Sequence, residues 1–515
     1  MAESRTKNTL KNVKTGFVVQ LINKLMAFVV RTFFIMYLNT DYLGVNGLFT
    51  NVLTVLSFAE LGIGTAIIFN MYKPVAENNK EEIKSLMALY KKAYNIIGFV
   101  VFGLGLMVIP FMNFIIKDAP AIKENIILIY LLFLINTSSS YFFTYKKSII
   151  SAHQKQNIIN NIDSIIYIIK SIIEIVFLIL TRNYILFLII QISFTMLENI
   201  IISFKANKMF PYLKEKDTKK LEKDKISKIF SNVKALVVYQ FGGIIMTGTD
   251  NILISALINV STIGLCSNYT LIISSVKSII SSGLNGVIAS VGNLNATGTK
   301  EKKEEIFYEL LFIHFLIYSF CAIAFVILLN PFIKIWLGDN YLLGVSISVA
   351  LAFNFFIDGM RNPGFIYRTT AGLFQKGKFT PYIGATTNIA LSIILCKFFG
   401  VLGIFMATGI STLLSYSWID PYLIHKYEFK KNAVNFYKKY AFYFIIFGLD
   451  LVITYFLTTF ISFNIYLDII LKGLVALIIP NIINILVFRK SNEFIYTKEK
   501  FINKILRKLH LRKFA

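Results

Sequence analysis

Residues 307–330 read FYELLFIHFLIYSFCAIAFVILLN. This stretch is mostly apolar, and about 20 mostly apolar residues suffice to cross about 30 Å of hydrocarbon. Outward from it the chain divides into similar runs. Segments 1 to 14 cover 16–38, 45–70, 94–116, 126–145, 158–181, 184–204, 235–258, 263–290, 307–330, 345–372, 380–397, 401–424, 440–462 and 467–488. Backbone polar groups cannot stay open to lipid, so runs of this length predict an all-α integral membrane bundle of fourteen transmembrane helices.

Composition agrees. Of 515 residues, 56% are hydrophobic and only 16% charged, whereas a soluble domain keeps roughly a quarter charged. A formal charge of +25 would point to nucleic acid in a soluble chain. Here the positives cluster in alternate loops, which is a topological signal. Lys117, Lys123, Arg182, Lys334 and Lys397 fall on one side. The other side holds Arg5 to Lys14, Lys73 to Lys92, Lys146 to Lys155, ten lysines from Lys205 to Lys234, Lys300 to Lys303, Lys376 with Lys378, Lys426 to Lys439, and nine basic residues from Arg489 to Lys513. The alternation is unbroken, which places both termini in the cytoplasm. Lys24 and Arg31 interrupt segment 1 and no small-residue cleavage site follows, so it is read as uncleaved. Cys266, Cys321 and Cys396 lie in apolar runs and form no disulfide framework or metal pair.

The polar stretch 205–234 leaves six segments before it and eight after. Leu43-Gly44-Val45 aligns with Ile263-Gly264-Leu265, and Thr50 with Thr270, at a constant offset of 220 residues. Such an offset fits parallel repeats with a substrate site between them. The expected domains are an N-terminal lobe at 1–204, a basic cytoplasmic linker at 205–234 and a C-terminal lobe at 235–424. Segments 13 and 14 follow at 425–488, then a basic tail at 489–515 whose alternating apolar residues fit either a helix on the anionic inner leaflet or a disordered extension.

No metalloprotease, phosphate-loop or nucleophile-elbow motif occurs. Gly62-Ile-Gly64 and Gly103-Leu-Gly105 are read as close-packing positions. No cofactor is expected, and the histidines are too scattered for a metal site. Ionisable residues inside segments are the functional candidates, because each costs at least a few kcal/mol in hydrocarbon unless it faces a partner or water. Gln20, Lys24 and Arg31 share one face of segment 1. Thr270, Ser274, Lys277 and Ser281 form a stripe on segment 8. Asp358, Arg361 and Arg368 lie on segment 10. Glu60, Asp163, Glu174, Glu198, Asp250 and Asp450 supply acids, with Lys170 expected to pair with Glu174 one turn on. Two readings of Lys24, Arg31, Lys277, Arg361 and Arg368 stand side by side. Either neighbouring acids neutralise each cation, or a positive cavity remains that suits phosphate oxygens.

The runs Tyr42-Leu-Gly-Val-Asn-Gly-Leu-Phe49 and Ala59-Glu-Leu-Gly-Ile-Gly-Thr-Ala-Ile67, with Thr249-Asp-Asn-Ile-Leu-Ile-Ser255, Ile263-Gly264 and Tyr269, resemble the Wzx-type polysaccharide flippases. These are relatives of the multidrug and toxin extrusion (MATE) antiporters and lipid II flippases in one exporter superfamily. The resemblance implies a V-shaped MATE-like bundle of two pseudo-symmetric six-helix lobes plus two C-terminal helices in a bacterial plasma membrane. It further implies alternating access that carries undecaprenyl-pyrophosphate-linked oligosaccharide to the outer leaflet for polysaccharide biosynthesis. Lys24, Arg31 and Lys277 are the positions that could match the basic cavity residues of the family.

On this reading those cations, with Arg361 and Arg368, hold the pyrophosphate. Gln20, Asn23, Tyr239, Gln240, Asn268 and Tyr269 face the glycan, and Glu60, Asp250 or Asp358 serves ion coupling or charge pairing. The expected partners are the lipid-linked oligosaccharide, anionic membrane lipids, H+ or Na+, and polysaccharide polymerase and glycosyltransferase machinery, with no nucleic acid. The alternative is an ion-coupled multidrug or organic cation antiporter of the same superfamily, which needs an acid-dominated cavity. A membrane saccharide polymerase is more distant, because the outer loops are short. On the leading reading the protein is not an enzyme.

Overall fold

The computed structural model describes residues 2–60, 63–215, 221–373 and 376–499, and among them there is no strand. The helices are α1 (Ala2–Tyr37), α2 (Thr40–Leu56), α3 (Ile63–Ala76), α4 (Lys80–Val108), α5 (Met112–Ile115), α6 (Ile126–Ala152), α7 (Gln156–Thr181), α8 (Tyr184–Met209), α9 (Lys223–Gly248), α10 (Asp250–Leu257), α11 (Val260–Thr297), α12 (Lys300–Leu337), α13 (Val345–Thr370), α14 (Thr380–Phe399), α15 (Val401–Leu414), α16 (Tyr416–Ile424), α17 (Val434–Thr459), α18 (Ile465–Phe488) and α19 (Asn492–Thr497). Residues 500–515, and with them most of the basic tail, lie outside the described residues.

Each of the fourteen segments falls on helix, and four of them are broken. Segment 2 becomes α2, a tight turn at Ser57–Glu60 and α3; segment 3 becomes the end of α4, a tight turn at Ile109–Phe111 and α5; segment 7 becomes α9 and α10; segment 12 becomes α15 and α16. Among the described residues, 11 stretches are long and apolar enough to cross a membrane, so the chain is a multi-pass membrane protein. Segments 2, 7 and 10 are not among them. In segment 2, α2 and α3 are short pieces of 17 and 14 residues. In segment 10, α13 carries Asn354, Asp358, Arg361 and Asn362.

Asparagine starts many of these helices. The side chains of Asn39, Asn79, Asn125, Asn183 and Asn464 accept hydrogen bonds from backbone N–H groups in the first turns of α2, α4, α6, α8 and α18. Those donors have no partner within the helix, and a short amide satisfies them.

The described chain forms two compact units. The first comprises residues 1–267 and 274–283, the second 268–273 and 284–515, so α11 contributes to both. In the first unit α2 crosses α11 with no room for side chains. A Cβ on Gly44 would overlap the Val260 carbonyl, and one on Gly264 would overlap the Thr40 carbonyl. Between them the Ser261 hydroxyl donates to Asp41. Residues 260, 261 and 264 are 40, 41 and 44 displaced by the same 220 positions seen in the sequence alignment. The crossing is therefore reciprocal in the 220-residue offset, 44 meeting 260 and 264 meeting 40. The other glycine motifs divide: Gly105 gives way to Leu134 and Gly64 to the Tyr94 hydroxyl, but Gly103 has nothing within 4 Å, so it serves no close packing, contrary to the sequence reading. Gly62 lies outside the described residues.

In the second unit α12, which contains the mostly apolar stretch 307–330, is the most enclosed candidate span. It has 67% of its most apolar window buried, against 17% for α18. A helix apolar on most of its faces belongs inside protein, and aromatic packing does the enclosing. The rings of Phe315 and Tyr443 stack with centroids 4.7 Å apart, and Phe488 closes edge-on at 5.5 Å from Phe315. The absent side chain of Gly359 lets the Tyr318 ring press against α13.

Candidate functional site

The first unit holds a cavity of about 530 Å³ lined by Asn46, Thr50, Leu53, Thr54, Ser57, Glu60, Gly64, Phe133, Asn136, Thr137, Tyr141, Gln191 and Ile244. Its origin is a stripe. Asn46, Thr50, Leu53, Ser57, Glu60 and Gly64 recur every three or four residues and so share one helical face, which the turn at Ser57–Glu60 carries onward from α2 to α3. Phe133, Asn136, Thr137 and Tyr141 of α6 oppose it with the same spacing.

The lining is mostly amide and hydroxyl. Ser57 and Thr54 each donate back to the carbonyl four residues earlier at 2.7 Å, which leaves hydroxyl lone pairs available as acceptors. The Asn136 side-chain oxygen is buried and has no hydrogen-bond partner among the described residues. Glu60 is the carboxylate of the lining, held by the hydroxyl of Tyr141, which also contacts Ser57. Behind it the Tyr141 ring leans on Tyr94, 6.5 Å between centroids. A wet cavity is where a carboxylate can sit at modest cost inside a membrane protein.

Of the residues singled out from the sequence, Glu60 is the one among this lining. The stripe of segment 1 is shared between two neighbours. Gln20 accepts from Ser278 at 3.1 Å and from Ser282, and Arg31 donates to Ser267 at 2.6 Å, all on α11. Asn23 turns the other way and accepts from Ser164 of α7 at 3.1 Å. Lys24 is half-buried, with no ion-pair partner among the described residues, and Lys277 is exposed on α11. Asp250 stands in the first turn of α10. The side chains of Tyr239 and Gln240 lie outside the described residues. Lys170 and Glu174 are 3.9 Å apart, the predicted pair, while Asp163 lies 3.5 Å from Lys147 instead.

The candidates of segment 10 gather in the second unit. Arg368 is fully buried and bonded to Asp420 of α16. The Arg361 guanidinium lies 4.0 Å from the Tyr416 ring centroid and 3.9 Å from Asp358. Asn268 and Tyr269 are fully buried; the Tyr269 hydroxyl donates to Asn330 at 2.6 Å and accepts from the Leu343 amide at 2.8 Å. Sequence reasoning overlooked Asp420, which lies in segment 12 but was not counted among the acids, and the polar stripes of α2 and α6. The three-to-four spacing from Asn46 to Gly64 was the signal that could have found the cavity. Among the described residues no group of three His, Cys, Asp or Glu side chains is placed to hold a metal.

No protein-family model and no curated protein sequence matches this chain. Solved structures do. The lipid II flippase MurJ in an inward closed conformation superposes with a TM-score of 0.62 over 92% of this chain and 98% of its own, at 16% identity. An inward-facing multidrug resistance MATE family transporter of the MOP superfamily does so with 0.57 over 78% and 97%, at 13% identity. A MOP superfamily transporter from Pyrococcus furiosus, described as having a binding pocket of reversed polarity, gives 0.54 over 80% and 94%, at 13% identity. The fold of this chain is that of the MOP-superfamily transporters.

Proposed function

We propose that this protein is a flippase that moves a polyprenyl-pyrophosphate-linked oligosaccharide from the inner to the outer leaflet of a bacterial plasma membrane, with both termini cytoplasmic. The observation that carries this reading is the lining of the cavity in the first unit. Asn46, Asn136, Gln191, Thr50, Thr54, Thr137 and Ser57 present amides and hydroxyls, the groups that exchange hydrogen bonds with sugar hydroxyls without demanding a charge. Arg31, Lys24 and Lys277 are the cations assigned to the pyrophosphate. The chain divides functionally into the two repeats, 1–204 and 235–424, with 425–488 appended.

A second reading has one observation in its favour: Glu60 is the carboxylate of that lining, which suits an ion-coupled organic cation antiporter. The test is mass spectrometry of lipids that co-purify with wild type, Arg31→Ala and Lys277→Ala. Polyprenyl-pyrophosphate glycans present in wild type and lost in the variants are the expected result. If wild type carries only bulk phospholipid and binds organic cations that Glu60→Gln abolishes, the antiporter takes its place.

A further inference from the structure

A second cavity, of about 580 Å³, lies between the start of α7 and the end of α8, lined by Ile158, Asn161, Ile162, Ile201, Phe204, Lys205 and Lys208. Its size is that of a small-molecule site, yet it opens on the outer surface of the first unit, well away from Glu60 in sequence and element. The lining residues repeat at three and four positions on each helix, so one face of α7 meets one face of α8. Polar groups stand at one end only. Lys205 and Lys208 occupy the last turns of α8, and neither has an acidic partner among the described residues. The nearby carboxylates are committed elsewhere, Glu198 to Lys147 at 2.7 Å and Asp163 to the same ammonium at 3.5 Å.

The other end is apolar and continues toward the membrane centre. Phe204 is 70% exposed, and beyond it Ile165, Ile169 and Ile172 of α7 and Leu197 and Ile200 of α8 are exposed as well. Two ammonium groups at a helix end with no acidic partner among the described residues, followed by an apolar track along the helix axis, match a molecule with an anionic head and a hydrocarbon tail. Free phosphate would leave the track unused, and a neutral lipid would leave the lysines unpaired. Basic pockets between transmembrane helices at the positive side recognise anionic headgroups in this way.

We propose that the groove between α7 and α8 binds one anionic phospholipid of the adjacent leaflet. Lys205 and Lys208 contact its phosphate, Asn161 donates to the headgroup, and Ile158, Ile162, Ile201 and Phe204 line the acyl chain. The lysines act as point charges, so the site selects for charge more than for head shape.

The test is native mass spectrometry of the full-length protein, titrated separately with phosphatidylglycerol, phosphatidylethanolamine and inorganic phosphate. One tightly retained phosphatidylglycerol is expected in wild type. Its occupancy should fall about tenfold in Lys205→Glu/Lys208→Glu and stay unchanged in Lys300→Glu/Lys302→Glu, which alters net charge equally. Equal loss in both double variants, equal retention of phosphatidylethanolamine, or displacement by inorganic phosphate overturns the proposal. A second variant covers misfolding of the first. With Trp336 and Trp418 replaced by Phe, Phe204→Trp should be quenched by brominated phosphatidylglycerol more strongly than by the brominated ethanolamine lipid, and equal quenching counts against the site.

Discussion

Glu60 and Asp420 are both carboxylates on helices that cross apolar surroundings, yet they meet opposite fates. Glu60 faces a cavity among amides and hydroxyls, its carboxyl group hydrogen-bonded with the Tyr141 hydroxyl. Asp420 is sealed against Arg368, with almost no exposure for either side chain. At Glu60 the polar side chain is kept at a cavity wall; at Asp420 it is neutralised internally. Helix α13 is too polar to pass as a membrane span by composition, yet its Arg368 is fully buried against Asp420. An intramembrane charge therefore marks a place where something is paired, and only the partner says whether that something is structure or cargo.

The largest effect should come from unpairing the sealed site. Asp420→Ala leaves a buried guanidinium without its counter-charge, which costs about 3–5 kcal/mol; thermal unfolding in detergent should show a large drop, and Arg368→Met/Asp420→Leu should restore most of it. An unchanged unfolding temperature for the single variant would erase the contrast between the two acids. Next come Gly44→Ala and Gly264→Ala, where an added Cβ meets backbone carbonyl and overpacking costs about 1–3 kcal/mol. Because the crossing is reciprocal, both should destabilise to a similar degree, and tolerance of one alone would break the symmetry.

Substitutions at the cavity should move binding and leave stability in place. Gln191→Leu and Asn136→Leu each remove one hydrogen bond, worth about 0.5–1.5 kcal/mol, and should lower the co-purified glycolipid up to about tenfold with little change in unfolding temperature. Loss of stability without loss of cargo would make these residues packing elements like those of the second unit. The smallest effect belongs to Lys302→Ala, since the Lys302 and Glu305 pair at 2.8 Å is exposed; a shift within about 0.5 kcal/mol is expected.

Periodicity and charge alternation made the helices legible, but not their breaks. The interruption at Ser415 carries no proline or glycine at the break itself, so local propensity left no trace of it. The reciprocal crossing was half visible: the 220-residue offset aligned Gly44 with Gly264, while their contact with Val260 and Thr40 required the folded chain. The candidate site was legible only at Glu60, because the rest of the stripe from Asn46 to Gly64 carries no charge.

What the sequence determined by itself is the class of molecule. Lipid offers no partner to a backbone N–H or C=O, so runs of apolar residues have one solution, the helix. What only tertiary structure decided is the fate of each polar side chain. A 3.6-residue period assigns a residue to a face and says nothing of what that face meets. Gln20 and Arg31 lie on one stripe with serines of α11, Arg368 found an aspartate 52 positions away, and Glu60 found a cavity. Those pairings depend on which helices become neighbours, a choice made by packing between distant parts of the chain.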